Sequence, residues 1–328
     1  QLLQGIVALT PGALLMIAIT LPLCGGEITP PVPFEDVHFP SSEFGAPTRA
    51  WFIPGAGADG SPAPTVIVLP TLAWGRGDRM SEALIYHERG FNVLTYDSRA
   101  CVGSTSPALG SAEAAQVGDA LAWLAERADV DSARIGLHGF SAGGAAALLG
   151  AAQFPQVAAV VAQGNYADFA ASLSDSTGQL GLLKPGFDLG ARLGYRLMTG
   201  RALDELNPLA AMPLIAPRPV LLVYGSLEGA LADGRALLAA GLAAGGAVTL
   251  WEVPGALHGD YLAVAGADYA RRVGDFMAAG PTPPPPPPPP PPRPAAGRAA
   301  SLFPPPSCRW RVHAAIFSPL PERRGGRG

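Results

Sequence analysis

Charge is scarce in this sequence, and cysteine scarcer still. Asp, Glu, Lys and Arg together make up 15% of the 328 residues, and none of them occurs before Glu27. The three cysteines, Cys24, Cys101 and Cys308, stand far apart without a C-x-x-C pair. That spacing argues against a disulfide framework and against a cysteine zinc site. A nucleotide enzyme is not expected either, since no P-loop or dinucleotide-binding loop is read after the first strands. The body also lacks the basic face that nucleic acid demands. Residues 1–280 hold fifteen Lys and Arg against twenty-five Asp and Glu, a net −10. What is abundant is apolar. At 48% hydrophobic residues and a mean hydropathy of +0.25, the chain is too apolar to be disordered as a whole and can bury a sizeable core.

Three zones follow from composition. The first residue is Gln, which reads as a fragment or a processed form. Residues 5–23, GIVALTPGALLMIAITLPL, form an uncharged run of nineteen, close to the length of a bilayer-spanning helix. Residues 1–26 are therefore expected to be a membrane anchor, with a secretory signal segment or a buried core helix as the competing readings. Lipidation at Cys24 is not expected, because Leu23 precedes it where a lipoprotein signal places a small residue. The body, residues 27–280, alternates β-rich runs with helical stretches. Strands are read at 48–53, 65–69, 93–96, 134–138, 157–163, 220–224 and 247–253, and helices near 79–89, 112–127, 142–152, 229–243 and 260–278. Continuously apolar runs such as Val66-Ile67-Val68-Leu69 fit strands covered on both faces. The fold class is thus α/β, a mostly parallel sheet with helices on both faces. A Leu-, Gly- and Pro-rich insertion at about 169–217 is expected to form a small cap. Residues 281–328 open with a decaproline, Pro283–Pro292, and carry seven arginines against Glu322; they read as a disordered tail.

The sharpest local signal is Gly139-Phe140-Ser141-Ala142-Gly143. It sits between the strand-like Arg134–His138 and an Ala-rich helix, the context a nucleophile elbow requires. Such a turn leaves no room for side chains two residues either side of the serine. It also sets the hydroxyl at a helix N-terminus, where negative charge is favoured. Ser141 is the candidate nucleophile, and the Ala142 N–H a candidate oxyanion donor. A serine needs a base. Of the five histidines, His313 lies in the tail, His38 precedes the sheet proper, His87 is helical and His138 points into the sheet. His258, in the loop Pro254–Gly259, alone follows Ser141 within the body, as the chain order Ser, acid, His demands. Glu228, three residues past Gly225 at the end of the strand 220–224, is the favoured acid. Asp233 competes with it, and Asp260 reads as a cap of the final helix.

These residues, with Phe34–Ser41, Trp51–Pro54, Gly90–Arg99, Asp131–Gly136, Arg218–Leu221 and Pro254–His258, resemble the α/β-hydrolase superfamily. More narrowly they look like its exported or membrane-associated bacterial branch, the dipeptidyl-aminopeptidase and acylaminoacyl-peptidase-like hydrolases. The resemblance implies an eight-stranded sheet, a Ser–acid–His triad with no metal or organic cofactor, and a cell-envelope location. It also implies a second oxyanion donor in the loop after Val66–Leu69. There the family's usual His-Gly is replaced by Pro70-Thr71-Leu72, which makes Leu72 the donor. Glu228 replaces the usual Asp, and Arg99-Ala100-Cys101-Val102-Gly103 replaces Arg-Gly-x-Gly, so Cys101 reads as a packed loop residue. The expected activity is carboxylesterase-like cleavage of an ester or amide, on a small acyl ester or a short peptide. A serine peptidase of the same fold is the alternative. A catalytically silent, membrane-tethered binding protein is the reading from another class.

Overall fold

The computed structural model describes residues 2–280 apart from 23, 25–27, 44, 58, 73 and 103–105; over residues 2–9 it gives only the course of the helix. The decaproline and the basic tail lie outside the described residues.

Eight strands form one sheet: β1 (Glu35–Phe39), β2 (Thr48–Ile53), β3 (Ala63–Val68), β4 (Asn92–Tyr96), β5 (Val130–Phe140), β6 (Val157–Gln163), β7 (Val220–Gly225) and β8 (Val248–Val253). Their order is β1-β2-β4-β3-β5-β6-β7-β8. Only β2 runs against its neighbours; from β4 to β8 every pairing is parallel. The sheet therefore matches the expected α/β-hydrolase architecture. One strand was not anticipated. β1 is a short antiparallel edge, so His38 lies within the sheet, opposite Arg49, rather than ahead of it. Its five residues alternate too weakly for the pattern to stand out.

The helices are α1 (Leu2–Ile19), α2 (Met80–His87), α3 (Glu113–Ala125), α4 (Ala142–Gln153), α5 (Phe169–Ser176), α6 (Lys184–Thr199), α7 (Pro208–Ile215), α8 (Leu231–Ala243), α9 (Tyr261–Ala265) and α10 (Ala267–Ala279). The two-residue period of a strand sorts side chains between two cores. Along β3, Ile67 and Leu69 face the layer of α3, α4, α7 and α8, while Val66 and Val68 face α2 and α10. Each such side chain, fully buried, contributes about 1.5–3 kcal/mol. The single helix expected over 260–278 is broken at Gly266, whose φ of +50° starts α10 afresh. Gly55-Ala56-Gly57-Ala58-Asp59-Gly60 has the spacing of a dinucleotide-binding loop that the sequence reading passed over. It joins β2 to β3 and opens no helix, so it lacks the helix N-terminus a pyrophosphate needs.

The insertion expected to form a cap holds α5, α6 and the short 3-10 turns around them. α7, the last helix of that stretch, packs on α4 and α8 of the body. The apolar N-terminal stretch needs correcting in two respects. Among the described residues no helix is long and apolar enough to cross a membrane. α1 packs instead along α6, closely enough that a methyl at Gly12 would stand 2.1 Å from Phe187 O and one at Gly194 2.8 Å from Ala13 Cα. Cys24, just beyond α1, is disulfide-bonded to Cys101, with the Cα atoms 4.9 Å apart. The spacing of the cysteines argues against a disulfide, since these two lie 77 residues apart with no motif between them. Spacing says nothing about which loops the fold brings together.

Candidate active site

β5 ends in the turn that carries Ser141. The serine has φ +55° and ψ −121°, a strained backbone for a residue with a Cβ, costing about 1–3 kcal/mol. The surroundings hold it there: the Ser141 N–H donates to Gln163 O at 2.8 Å, and the Ala145 N–H to Ser141 O at 3.1 Å. Both flanking glycines are forced by contact. A methyl at Gly139 would lie 2.1 Å from Gly143 O, and one at Gly143 2.6 Å from Pro70 O. Ser141 thus stands at the start of α4, as its spacing predicted.

The loop after β3 passes over Gly143. Asp78 pins it, its carboxylate accepting from the Thr71 N–H at 3.1 Å and from the Thr71 hydroxyl. The Arg76 N–H donates to Asp97 at 3.0 Å, and the Arg76 guanidinium stacks 4.4 Å over Trp51. The N–H groups of Ala142 and Leu72 donate to no carbonyl among the described residues. The Leu72 side chain is packed into a cluster with Met16 of α1 and Ala191 and Tyr195 of α6. The disulfide borders the same loop, since a methyl at Gly75 would stand 4.0 Å from Cys101 Sγ. Cys101 is therefore a tether beside this loop and not merely a packed residue.

Glu228 and His258 come together as expected. The Glu228 side chain is 1% exposed, and its Oε2 accepts from His258 Nδ1 at 3.2 Å. With Nδ1–H on the carboxylate, Nε2 is left for a serine hydroxyl. The His258 ring rests on Phe140, the residue before Ser141, with centroids 4.7 Å apart. In this resting arrangement Ser141 and His258 are not hydrogen-bonded to each other.

Two residues that sequence reasoning missed complete the arrangement. The Tyr261 hydroxyl donates to the same Oε2 at 2.6 Å, while Glu228 Oε1 is buried without a partner. Burial and the adjacent carboxylate push the Tyr261 phenol upward, so it remains a donor. Gly164, with φ +56°, leaves the space His258 occupies: a methyl there would stand 3.0 Å from the imidazole and 2.4 Å from Tyr261 Oη. A glycine directly after a strand was the available signal for Gly164. A tyrosine three residues past the histidine offered none.

The other candidates fall elsewhere. Asp233 lies in α8, hydrogen-bonded with Ser172 (3.4 Å) rather than with His258, and burial raises its pKa. Asp260 does not cap α9 with its side chain. It accepts from the Leu257 N–H at 2.7 Å and so braces the histidine loop. His138 points into the sheet, fully buried between Tyr86 Oη (2.6 Å from Nδ1) and Gln163 Nε2 (2.8 Å from Nε2). Burial first, then the nearby Arg79 charge, lowers its pKa to about 3. Among the described residues no three His, Cys, Asp or Glu side chains gather as a metal site. Next to Gly164 opens a cleft of about 310 Å³, lined by Tyr166, Phe169 and Leu173 with Ser172 and Asp233 at its polar side.

Comparison with known proteins agrees with this fold. Three solved α/β folds superpose on the chain. The Pyrococcus furiosus esterase Pf2001 has a TM-score of 0.61 and 20% identity, over 79% of this chain and 99% of the esterase. A Pyrobaculum calidifontis esterase has a TM-score of 0.56 and 19% identity, over 81% and 88%. Porphyromonas gingivalis dipeptidyl peptidase 4 has a TM-score of 0.55 and 16% identity, over 76% of this chain and 36% of that one. At these identities the likeness is one of fold. Uncharacterized proteins from two strains of Mycobacterium tuberculosis are 34% identical over 111 residues, which is 34% of this chain and only 39% of theirs. The model of the X-Pro dipeptidyl-peptidase (S15) family matches residues 48–212, half of the chain, taking in Ser141 and the Leu72 loop and stopping short of Glu228 and His258. With the eight-stranded sheet and the elbow already in place, that match makes this chain a member of the S15 family of hydrolases.

Proposed function

We propose that the protein is a serine hydrolase that cleaves a short acyl ester through Ser141. The observation that carries this reading is the seating of His258 on Phe140, beside the strained Ser141, with its Nδ1 held by the buried Glu228. On binding, His258 Nε2 takes the Ser141 proton as Oγ attacks the carbonyl, and the N–H groups of Ala142 and Leu72 receive the oxyanion. His258 returns the proton to the leaving alcohol. A water then repeats the sequence on the acyl-enzyme, releasing the acid and restoring Ser141. Glu228 orients the ring and balances the imidazolium. The cleft beside Gly164, apolar and of about 310 Å³, suits an acyl group of a few carbons.

A peptidase reading has an observation of its own. Asp233 sits at the wall of that cleft, where a carboxylate can meet the amine of a short peptide, as membership of the S15 family would suggest. The Cys24–Cys101 bond supports an exported setting, since disulfides form and persist in oxidising compartments. The test is covalent labelling of the purified chain with a fluorophosphonate, read by intact mass, beside Ser141→Ala and His258→Ala. An adduct lost in both variants establishes the activated serine, and rates on 4-nitrophenyl butyrate and an alanyl-proline anilide then separate esterase from peptidase. A folded wild type that takes no label refutes the mechanism and leaves a binding role for the fold.

A further inference from the structure

Among the described residues, two other than glycine have a positive φ, and in both it is +55°. One is Ser141. The other is Leu109, for which a left-handed backbone is a genuine outlier, because its Cβ crowds the carbonyl that follows. A residue keeps such a conformation only where its surroundings impose it, and residues of this kind gather at functional sites. Around Leu109 the imposition is thorough. Glu113, buried at the start of α3, accepts from the Ala108 N–H and the Gly110 N–H, each at 2.8 Å. The Tyr166 hydroxyl donates to Leu109 O at 2.7 Å, and the Tyr195 hydroxyl to Ala108 O at 2.8 Å. A methyl at Gly110 would stand 3.2 Å from Ala145 Cβ, so this turn also bears on the first turn of α4, just past Ser141.

What these bonds hold in place is an apolar side chain. Leu109 is 5% exposed, in a buried cluster with Met16 of α1 and Ala191 and Tyr195 of α6. Against that cluster pack Leu72 of the oxyanion loop and, beside it, Tyr166, Phe169 and Leu173. The latter are the walls of the cleft of about 310 Å³ next to Gly164. Tyr166 serves both parts, lining the cleft and fixing the Leu109 carbonyl. A glycine would take the same φ without strain, so what the strained leucine adds is its side chain.

We propose that Leu109 is a specificity-determining residue: it stops the inner end of the acyl cleft and limits the acyl group to a few carbons. In its chemistry this rests on the reading of Ser141 as an esterase nucleophile; the stop itself is a property of the cleft. Removing the isopropyl end of Leu109 leaves space behind the walls, which a longer acyl chain fills.

The test is hydrolysis of 4-nitrophenyl acetate, butyrate, octanoate and laurate by the full chain and by Leu109→Ala and Leu109→Gly, with folding checked by circular dichroism. Glycine also relieves the backbone, which guards against a loss of fold in the alanine variant. The wild type should favour butyrate over octanoate. In the variants the octanoate-to-butyrate ratio of kcat/KM should rise about tenfold or more. A wild type that prefers octanoate or laurate overturns the proposal. So does an unchanged ratio in folded variants that lose activity on all the esters alike, the result expected of a merely structural leucine. Binding keeps this apart from the hydrolase reading, because butanamide and octanamide call for no attack by Ser141. Octanamide, relative to butanamide, should raise the melting temperature of Leu109→Gly more than that of the wild type. If the wild type takes no fluorophosphonate, the hydrolase reading fails and the amides decide on the stop: equal shifts in wild type and variant overturn it.

Discussion

Acidification from pH 7 to pH 5 should cost this protein about 2 kcal/mol of folding stability through His138 alone. The ring is fully buried, with Tyr86 Oη on one nitrogen and the Gln163 amide on the other. The amide donates to Nε2, so the neutral ring carries its proton on Nδ1. Protonating Nε2 would set two donors face to face in a dry site. Hence the pKa falls from 6.5 to about 3 on folding. Between those values the unfolded chain binds one proton more than the native state, and stability falls by about 1.36 kcal/mol per pH unit as pH drops. The contribution is whole above pH 6.5 and is gone only below about pH 3. The assay is urea unfolding under non-reducing conditions at pH 7, 6 and 5, for the wild type and His138→Gln. Carboxylates elsewhere titrate equally in both proteins, so the difference between the two slopes isolates His138. The variant should start less stable and lose about 2 kcal/mol less over the range. Parallel slopes would refute the assignment of a neutral, buried imidazole.

Three further outcomes follow from the geometry of the site. Gly143→Ala places a methyl 2.6 Å from Pro70 O, which pushes the Leu72 loop outward; the rate on an activated ester should fall about 10²-fold, and thermal unfolding should report an overpacking cost of about 1–3 kcal/mol. Tyr261→Phe removes the 2.6 Å bond to Glu228 and leaves a buried carboxylate with His258 as its one partner. Thermal unfolding should report a loss of about 1.5–3 kcal/mol, and an unchanged stability would mean that this hydrogen bond is not formed in solution. Cys24→Ser/Cys101→Ser opens a cross-link between residues 77 apart. Chain entropy then predicts a stability loss of about 4–5 kcal/mol in denaturant titration.

The α/β layering and the elbow were legible because each rests on local periodicity. An apolar run of four between turn residues reads as a covered strand, and glycines two before and two after a serine read as a tight turn. Glu228 and His258 were legible by chain order and loop position. β1 was too short and too exposed to declare itself. Tyr261, Gly164 and the Cys24–Cys101 pair were hidden for a different reason: each acts across the fold, on residues that sequence alone does not make neighbours. The Leu2–Ile19 helix shows the same limit from the other side. Its composition suits a bilayer or a protein neighbour equally well, and the close approach of Gly12 and Gly194 to the facing backbones decides that it packs on α6.

The tether beside the oxyanion loop also has an order in time. Within this sequence Cys24 and Cys101 are consecutive, and Cys308 comes after the whole body has been made. A chain entering an oxidising compartment N-terminus first presents this pair before the third thiol exists. Simple oxidation during emergence then yields the correct bond with no wrong pairing to undo. For the three cysteines of this sequence, export into an oxidising compartment would then need a thiol oxidase and no disulfide isomerase to pair Cys24 with Cys101.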